Sequence, residues 1–197
     1  MRGRSLLSAV RHLPDGYTPL SFIATGAKQY IDTGVIAKSG LISFMKIAFG
    51  SIPLDATILG ARRSNTRYYL AHYYNGFTLG YGNYYTSSAK AQTGVDYIIN
   101  TRLRAGAQNM VVNDAAVISN TISNEIDTGL NLYLFCSNYD GNADLFTTAK
   151  CYYCKIFDNG VMIRDFVPCI NPEGVYGMYD FVEGLFYASR SGAFVGA

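Results

Sequence analysis

Tryptophan is absent from this 197-residue chain, and charge is scarce. Only 15% of the residues are Asp, Glu, Lys or Arg, while 49% are hydrophobic. Disorder as the main state needs the reverse, low hydrophobicity with high net charge, and is set aside. The net charge of +2 argues against a nucleic-acid partner. Arg2, Arg4 and Arg11 cluster near the N-terminus, and Arg62, Arg63 and Arg67 form a second small group. Neither makes the basic stripe that a phosphate backbone requires, and local pairing or solubility accounts for both. No run approaches the ~18 consecutive apolar residues of a spanning helix, so no membrane segment is expected. The apolar piece Leu6-Leu7-Ser8-Ala9-Val10 is short for the core of a signal peptide, and Arg11-His12-Leu13-Pro14 follows it instead of a small-residue cleavage site. Synthesis in the cytoplasm without a signal peptide is the expectation.

Helical periodicity is also missing from Tyr17 onward. Residues 1–16 stand apart: the stretch from Arg4 to His12 has the make-up of a short helix, and Pro14-Asp15-Gly16 stops it. This N-terminal piece reads as a helical or extended docking segment, followed by a single domain over 17–197. What the chain does have is 17 Tyr, 11 Phe and 20 Gly, which suit half-buried pleated surfaces joined by turns. Short apolar runs at 20–24, 29–33, 41–49, 57–62, 67–74, 77–81, 95–104, 109–112, 116–119 and 130–136 are bounded by turn residues. Four more follow at 151–157, 161–167, 175–180 and 185–188. Asn75-Gly76 between two aromatic runs is a strong hairpin signal, and Asn159-Gly160 and Asn113-Asp114 mark similar breaks. So many short strands predict an all-β, two-sheet antiparallel sandwich.

The four cysteines predict little chemistry. Cys151 and Cys154 have metal-like spacing, but they sit inside an apolar run that reads as a strand. Residues three apart on a strand point to opposite faces, so packing is the expectation there.

Three segments carry a family resemblance. The first is Phe22-Ile23-Ala24-Thr25-Gly26-Ala27-Lys28-Gln29-Tyr30-Ile31-Asp32-Thr33-Gly34; the second is Val95-Asp96-Tyr97-Ile98-Ile99-Asn100 with Met110-Val111-Val112-Asn113-Asp114. The third runs from Ala149 through Val161-Met162-Ile163-Arg164-Asp165-Phe166-Val167-Pro168 and Gly177-Met178-Tyr179-Asp180 to Phe186-Tyr187. In this order they resemble the laminin-G-like branch of the concanavalin A-like lectin/glucanase superfamily. The resemblance implies a jelly roll over most of the chain, of the kind found in phage tail and head-fibre proteins and bacterial surface proteins. It therefore implies a virion surface component, docked to other virion proteins through the N-terminal segment. Such a component would be a capsid decoration, head fibre or tail adhesin that binds host or mucosal glycans, a homo-oligomeric structural subunit without a glycan ligand, or a bacterial carbohydrate-binding module.

The superfamily's hydrolases use a Glu-x-Asp-x-x-Glu strand whose acids share one face. Here Glu125-Ile126-Asp127 is followed by Thr128-Gly129-Leu130, with no second Glu. The two histidines, His12 and His72, have no Ser or Cys partner in a nucleophilic arrangement. The chain therefore reads as a non-enzyme. Two binding sites remain as candidates. Tyr68, Tyr69, Tyr73, Tyr74, Tyr81, Tyr84 and Tyr85 crowd around the Asn75-Gly76 hairpin. Of the residues there, Arg67, Tyr69, His72, Tyr73, Tyr81, Asn83 and Tyr85 are the candidate glycan contacts; packing in the core or against another copy is the competing reading. Asn138, Asp140, Asn142 and Asp144 cluster oxygen donors around Gly141 as a calcium loop would, or form a plain polar hairpin turn. No other cofactor is expected.

Overall fold

Burial along the chain alternates with period two, the signature of strands with one face inward. In a computed structural model, which describes residues 12–52, 54–63, 66–121 and 125–197, every regular element is a strand. Apart from His12, the helix expected over residues 4–12 lies outside the described residues.

Two sheets pack against each other. The first has the order β11(Ala115–Asn120), β10(Ala107–Val112), β9(Asp96–Arg104), β4(Leu41–Phe49), β15(Ala149–Asp158), β16(Val161–Ile170), β17(Tyr176–Asp180), β18(Leu185–Ala188). Short strands extend it: β1(Thr18–Pro19) pairs with β16, while β2(Ile23–Ala24) pairs with β15 and with β19(Val195–Gly196). The second sheet runs β3(Ile31–Lys38), β12(Asp127–Leu134), β5(Asp55–Arg63), β6(Thr66–Tyr74), β7(Phe77–Tyr81), β8(Asn83–Thr86). The hairpin of β13(Ser137–Tyr139) and β14(Asn142–Asp144) joins it beside β5, through the single parallel pairing among the described strands, β13 on β5. The predicted all-β sandwich of two antiparallel sheets is thus the observed architecture. Asn159 and Gly160 turn between β15 and β16 with φ of 48° and 87°, a left-handed pair that Asn and Gly tolerate best. The strand β8 was not legible, and β12 begins where the sequence reads as a Ser/Asn/Thr loop.

Between the sheets lies one continuous core. Met45, Ile47, Ile99, Met110, Ile156, Phe166 and Met178 face Ile31, Leu70, Leu79, Leu132 and Leu134. Aromatic rings from both sheets meet at Phe49, whose centroid lies 5.5 Å from Tyr73, 6.3 Å from Phe77 and 6.1 Å from Tyr97. Cys151 and Cys154 both belong to this core, which corrects the expectation that they face opposite ways. The pairing of β15 with β4 shifts register between Cys151 and Tyr153. That bulge adds one residue to the count, so residues three apart share the inner face and Tyr152 and Tyr153 both lie toward the outer one. All four cysteines are free and buried.

One cation joins the two sheets. Arg164 of β16 is 8% exposed and donates from Nε to the Thr33 carbonyl of β3 at 2.9 Å. Its Nη1 reaches the Ile163 carbonyl at 2.7 Å and Glu183 Oε1 at 2.6 Å. Asp180, fully buried, places Oδ2 3.6 Å from Arg164 Nε, beyond hydrogen-bond range but close enough for charge compensation. Its Oδ1 accepts from the backbone N–H of Asp165 at 2.7 Å and of Val182 at 3.0 Å. Arg164→Met should therefore leave Asp180 as an uncompensated buried charge and lower stability by about 3–5 kcal/mol, read from the urea midpoint. A change below about 1 kcal/mol would show that the cation is not needed to hold the sheets together.

The thiols give a second expectation. Burial pushes Cys151 up to about 12 and Cys169 to about 11, against an ordinary value of 9.0. Burial also raises Tyr68 well above its ordinary 10.0. An acid whose folded pKa is raised contributes stability that is whole below its unfolded pKa and is lost as pH climbs to the folded one. The urea midpoint should stay level up to pH 9 and fall steadily from there toward pH 12. A midpoint flat across that window would contradict the assignment.

Candidate ligand-binding site

The outer face of the second sheet carries a cavity built by β5, β6 and β8. Register places Gly60, Tyr69, Gly80 and Tyr84 in one row across four strands. The two glycines have a steric reason. A Cβ on Gly80 would lie 2.4 Å from Tyr69 Cδ2, and one on Gly60 would lie 2.9 Å from Tyr69 Cδ1. The Tyr69 ring thus lies down on the sheet over bare backbone. Between Tyr69 and His72 the pairing of β6 with β7 shifts register, and the two rings stack with centroids 4.5 Å apart at 24°. This bulge resembles that of β15: it puts two residues three apart on one face, here the outer one.

Tyr69 and His72 form the floor of a cavity of about 230 Å³, lined further by Asp55, Arg62, Tyr74, Tyr84 and Leu145. Both floor residues are buried although their sheet face is the outer one. Leu145 is pinned over the strand because the Thr57 N–H donates to its carbonyl at 2.7 Å. Tyr74 and Tyr84, both exposed, meet edge to face at 6.2 Å and form the opposite wall. His72 has both ring nitrogens engaged: Nε2 lies 2.9 Å from Asp55 Oδ1 and Nδ1 lies 3.0 Å from Thr57 Oγ1. A carboxylate only accepts, so the neutral ring carries its proton on Nε2 and accepts the Thr57 hydroxyl at Nδ1. Arg62 lays its guanidinium over the Tyr139 ring at 4.6 Å. Burial works against its charge, but the nearby Tyr69 and Tyr139 hydroxyls and Asp144 outweigh that and hold its pKa above the ordinary value. The arrangement offers the exposed rings of Tyr74 and Tyr84, a hydrogen-bonded carboxylate and a guanidinium around a space suited to one small ring.

Of the residues expected to contact a glycan, Tyr69 and His72 meet in this cavity. Tyr73 and Tyr81 instead point into the core, where each hydroxyl accepts a loop N–H, from Ala91 at 3.2 Å and from Ile126 at 2.9 Å. Asn83 pairs with Tyr81 and Tyr85 with Leu79, so both share the inward side of the edge strand β8, off the cavity. Arg67 stands opposite Arg62 in the backbone register, and its side chain lies outside the described residues. The sequence reading missed Asp55, Arg62 and Leu145 as site residues, and it named Tyr74 and Tyr84 only among the crowd. Asp55 and Arg62 reach the site from the preceding strand, and the segment after β14 supplies Leu145. No local pattern signals either.

The four candidate calcium ligands do not share one face. β13 and β14 form a hairpin turned by Asp140-Gly141, with φ of 46° and 91°. Asn138 pairs with Ala143, whereas Asn142 and Asp144 pair with Tyr139 and Ser137, so Asn138 lies on the opposite face from the other two. The Asn138 amide is already used, Oδ1 by the Gly141 N–H at 2.9 Å and Nδ2 by the Asn131 carbonyl at 2.9 Å. Asp140 pairs with Arg63 at 3.5 Å. Among the described residues no cluster of three or more His, Cys, Asp or Glu side chains could hold a metal ion. Glu125 and Asp127 are exposed, and neither lines the cavity, where Asp55 is the sole carboxylate among the described residues.

A second surface lies on the outer face of the first sheet. Phe44, Tyr152, Tyr153, Lys155, Asp165, Val167 and Phe181 line an open trough of about 510 Å³. The rings of Phe44 and Tyr153 are nearly parallel, at 10° and 6.2 Å. Lys46 caps Tyr152 at 4.4 Å and pairs with Asp96 at 2.7 Å. The Lys46 ammonium and the Tyr152 hydroxyl together hold the Asp96 carboxyl below its usual range. Val167 and Phe181 also line a neighbouring trough that His12, Leu13 and Tyr17 enter.

No family model matches this chain, and no curated protein matches it in sequence.

Gly80→Ala tests the floor. The added methyl must displace the Tyr69 ring, with an expected overpacking cost of about 1–3 kcal/mol in urea unfolding. Gly26→Ala, whose Cβ meets nothing within 4 Å, should be neutral. Equal stability of the two variants would mean that the ring does not lie on Gly80.

Proposed function

We propose that this chain is a non-enzymatic virion surface component with a concanavalin A-like jelly-roll fold, and that the cavity on its second sheet binds a glycan. One observation carries the glycan half: the exposed rings of Tyr74 and Tyr84 line a cavity beside fixed hydrogen-bonding groups, and a sugar ring needs an apolar face to stack on and polar partners for its hydroxyls. The lone carboxylate supports binding over cleavage, because glycoside hydrolysis by the usual route takes two. The virion half rests on the resemblance of the three segments, which fall on β2 and β3, on β9 and β10, and on β15 to β18. The capsid or tail is the proposed location, and docking through residues 1–16 is the proposed attachment to other virion proteins.

A specific observation favours a second reading, in which the chain is a purely structural virion subunit. The trough on the first sheet is larger and mostly apolar or aromatic, which suits burial against another protein.

Glycan-array binding followed by titration separates the two. Tyr84 is 45% exposed, so Tyr84→Ala should weaken the wild-type glycan hit about tenfold, ~1.4 kcal/mol, without moving the unfolding midpoint. A folded, soluble protein that binds nothing on the array would overturn the adhesin reading. Deleting residues 1–13 should leave the melting temperature unchanged and abolish incorporation into particles; normal incorporation would refute docking through that segment.

A further inference from the structure

The cavity holds a cation that the protein itself leaves without a close counter-charge. Arg62 is half-buried, and its Nε is shut away from solvent with no hydrogen-bond partner. Among the described residues no carboxylate comes within ion-pair distance of it. No nearby acid pairs with it directly: Asp55 holds His72 at 2.9 Å, Asp140 holds the neighbouring Arg63 at 3.5 Å, and Asp144 favours the charge only from beyond ion-pair distance. Tyr139 covers one face of the guanidinium at 4.6 Å, which fixes its plane. The Arg62 side chain lines the cavity, with the Tyr69 hydroxyl beside its guanidinium. A planar, preoriented fork of N–H donors in a partly dry site is the usual partner of a carboxylate, which it can grip through two parallel hydrogen bonds. A neutral hydroxyl would use one donor and leave the charge uncompensated.

We infer that the sugar unit bound in this cavity is acidic and that its carboxylate sits on Arg62. The inference rests on the glycan reading and deepens it by naming the ligand class: a uronic acid or a sialic acid, held as a single ring. The ring would stack against Tyr84, and its hydroxyls would meet the Asp55 carboxylate. The cavity of about 230 Å³ limits recognition to one unit of a longer chain. Asp55 does not repel such a ligand strongly, because the His72 N–H neutralises part of its field.

The test is calorimetric titration of the full chain with glucuronate, galacturonate and N-acetylneuraminate, beside glucose and galactose. At least one acidic sugar should bind tenfold or more tightly than the neutral ones, and that preference should shrink as salt rises. Arg62→Gln should bring the acidic sugars down to the level of the neutral ones. Arg62→Lys should keep part of the preference, and Arg63→Gln should keep all of it. If Arg62→Gln does not fold, Arg62→Lys and the salt series still decide. Equal binding of acidic and neutral sugars, or an acidic preference untouched by both Arg62 variants, would overturn the inference while the glycan reading stands. No binding of any sugar, in solution or on the array, would overturn both.

Discussion

Every side chain on a strand faces one side or the other, and the phase of that alternation decides what this sandwich buries and what it presents. Where the phase is unbroken, as along β4 and β9, the inner row is apolar but for the hydrogen-bonded pair Ser43 and Thr101, and the outer row is mixed. Register shifts reset it at several places, and two of these bulges shape the outer surface. In β15 the reset sends Cys151 and Cys154 inward together and leaves Tyr152 and Tyr153 on the outer side. In β6 it aligns Tyr69 and His72 on the outer face while Tyr68, Leu70 and Tyr73 stay in the core. Each bulge lies under one of the two surface concavities. Bulges commonly re-aim side chains near functional surfaces, and here they assemble aromatic pairs that strict alternation would split.

The absence of Trp shapes the interior in a related way. Tyrosine fills the volume, and each buried hydroxyl must then find a partner. Four of them do so on connecting segments. Tyr68 donates to the Lys38 carbonyl at 2.5 Å, while Tyr73, Tyr81 and Tyr97 accept the N–H groups of Ala91, Ile126 and Gln92. The rings add apolar area to the core, and the hydroxyls tie the loops down to it. Arg164 acts on the same principle with a charge, joining a carbonyl of one sheet to acids of the other. The sandwich is therefore fastened by polar tips reaching out of an apolar centre, which suits a chain with 17 Tyr and few charges.

Much of the fold was legible in the sequence because strands and turns leave local marks. The Asn75-Gly76, Asn113-Asp114 and Asn159-Gly160 turns stand where their residue types placed them. β8 escaped because Asn83 to Thr86 carries no apolar alternation: it is an edge strand whose residues are all exposed. The site was half legible. A crowd of tyrosines announced aromatic chemistry but not its facing, since a bulge leaves no composition signature. Tyr73 and Tyr81 therefore stood as candidate contacts beside the core reading that the structure gives them, whereas Tyr69 and His72 reach the cavity only through the shift between them. Arg62 looked like a solubility charge because its environment comes from Tyr139, which is 77 residues downstream in number yet its direct register partner across β5 and β13.

The two concavities lie on opposite outer faces of the sandwich, and this separation bears on the proposed role. A protein that must both attach to a particle and present a ligand site needs two surfaces that do not compete. The trough on the first sheet is apolar, aromatic and adjoined by the first described residues, His12 and Leu13. The cavity on the second sheet is small and polar and sits over the middle of β6. Large apolar area favours permanent burial against protein, whereas a small, preorganised polar cavity favours a reversible ligand. The glycan and structural readings then cease to be exclusive. Under the proposed role, one face would serve attachment and the other recognition, and the core between them would keep the orientation of the two fixed.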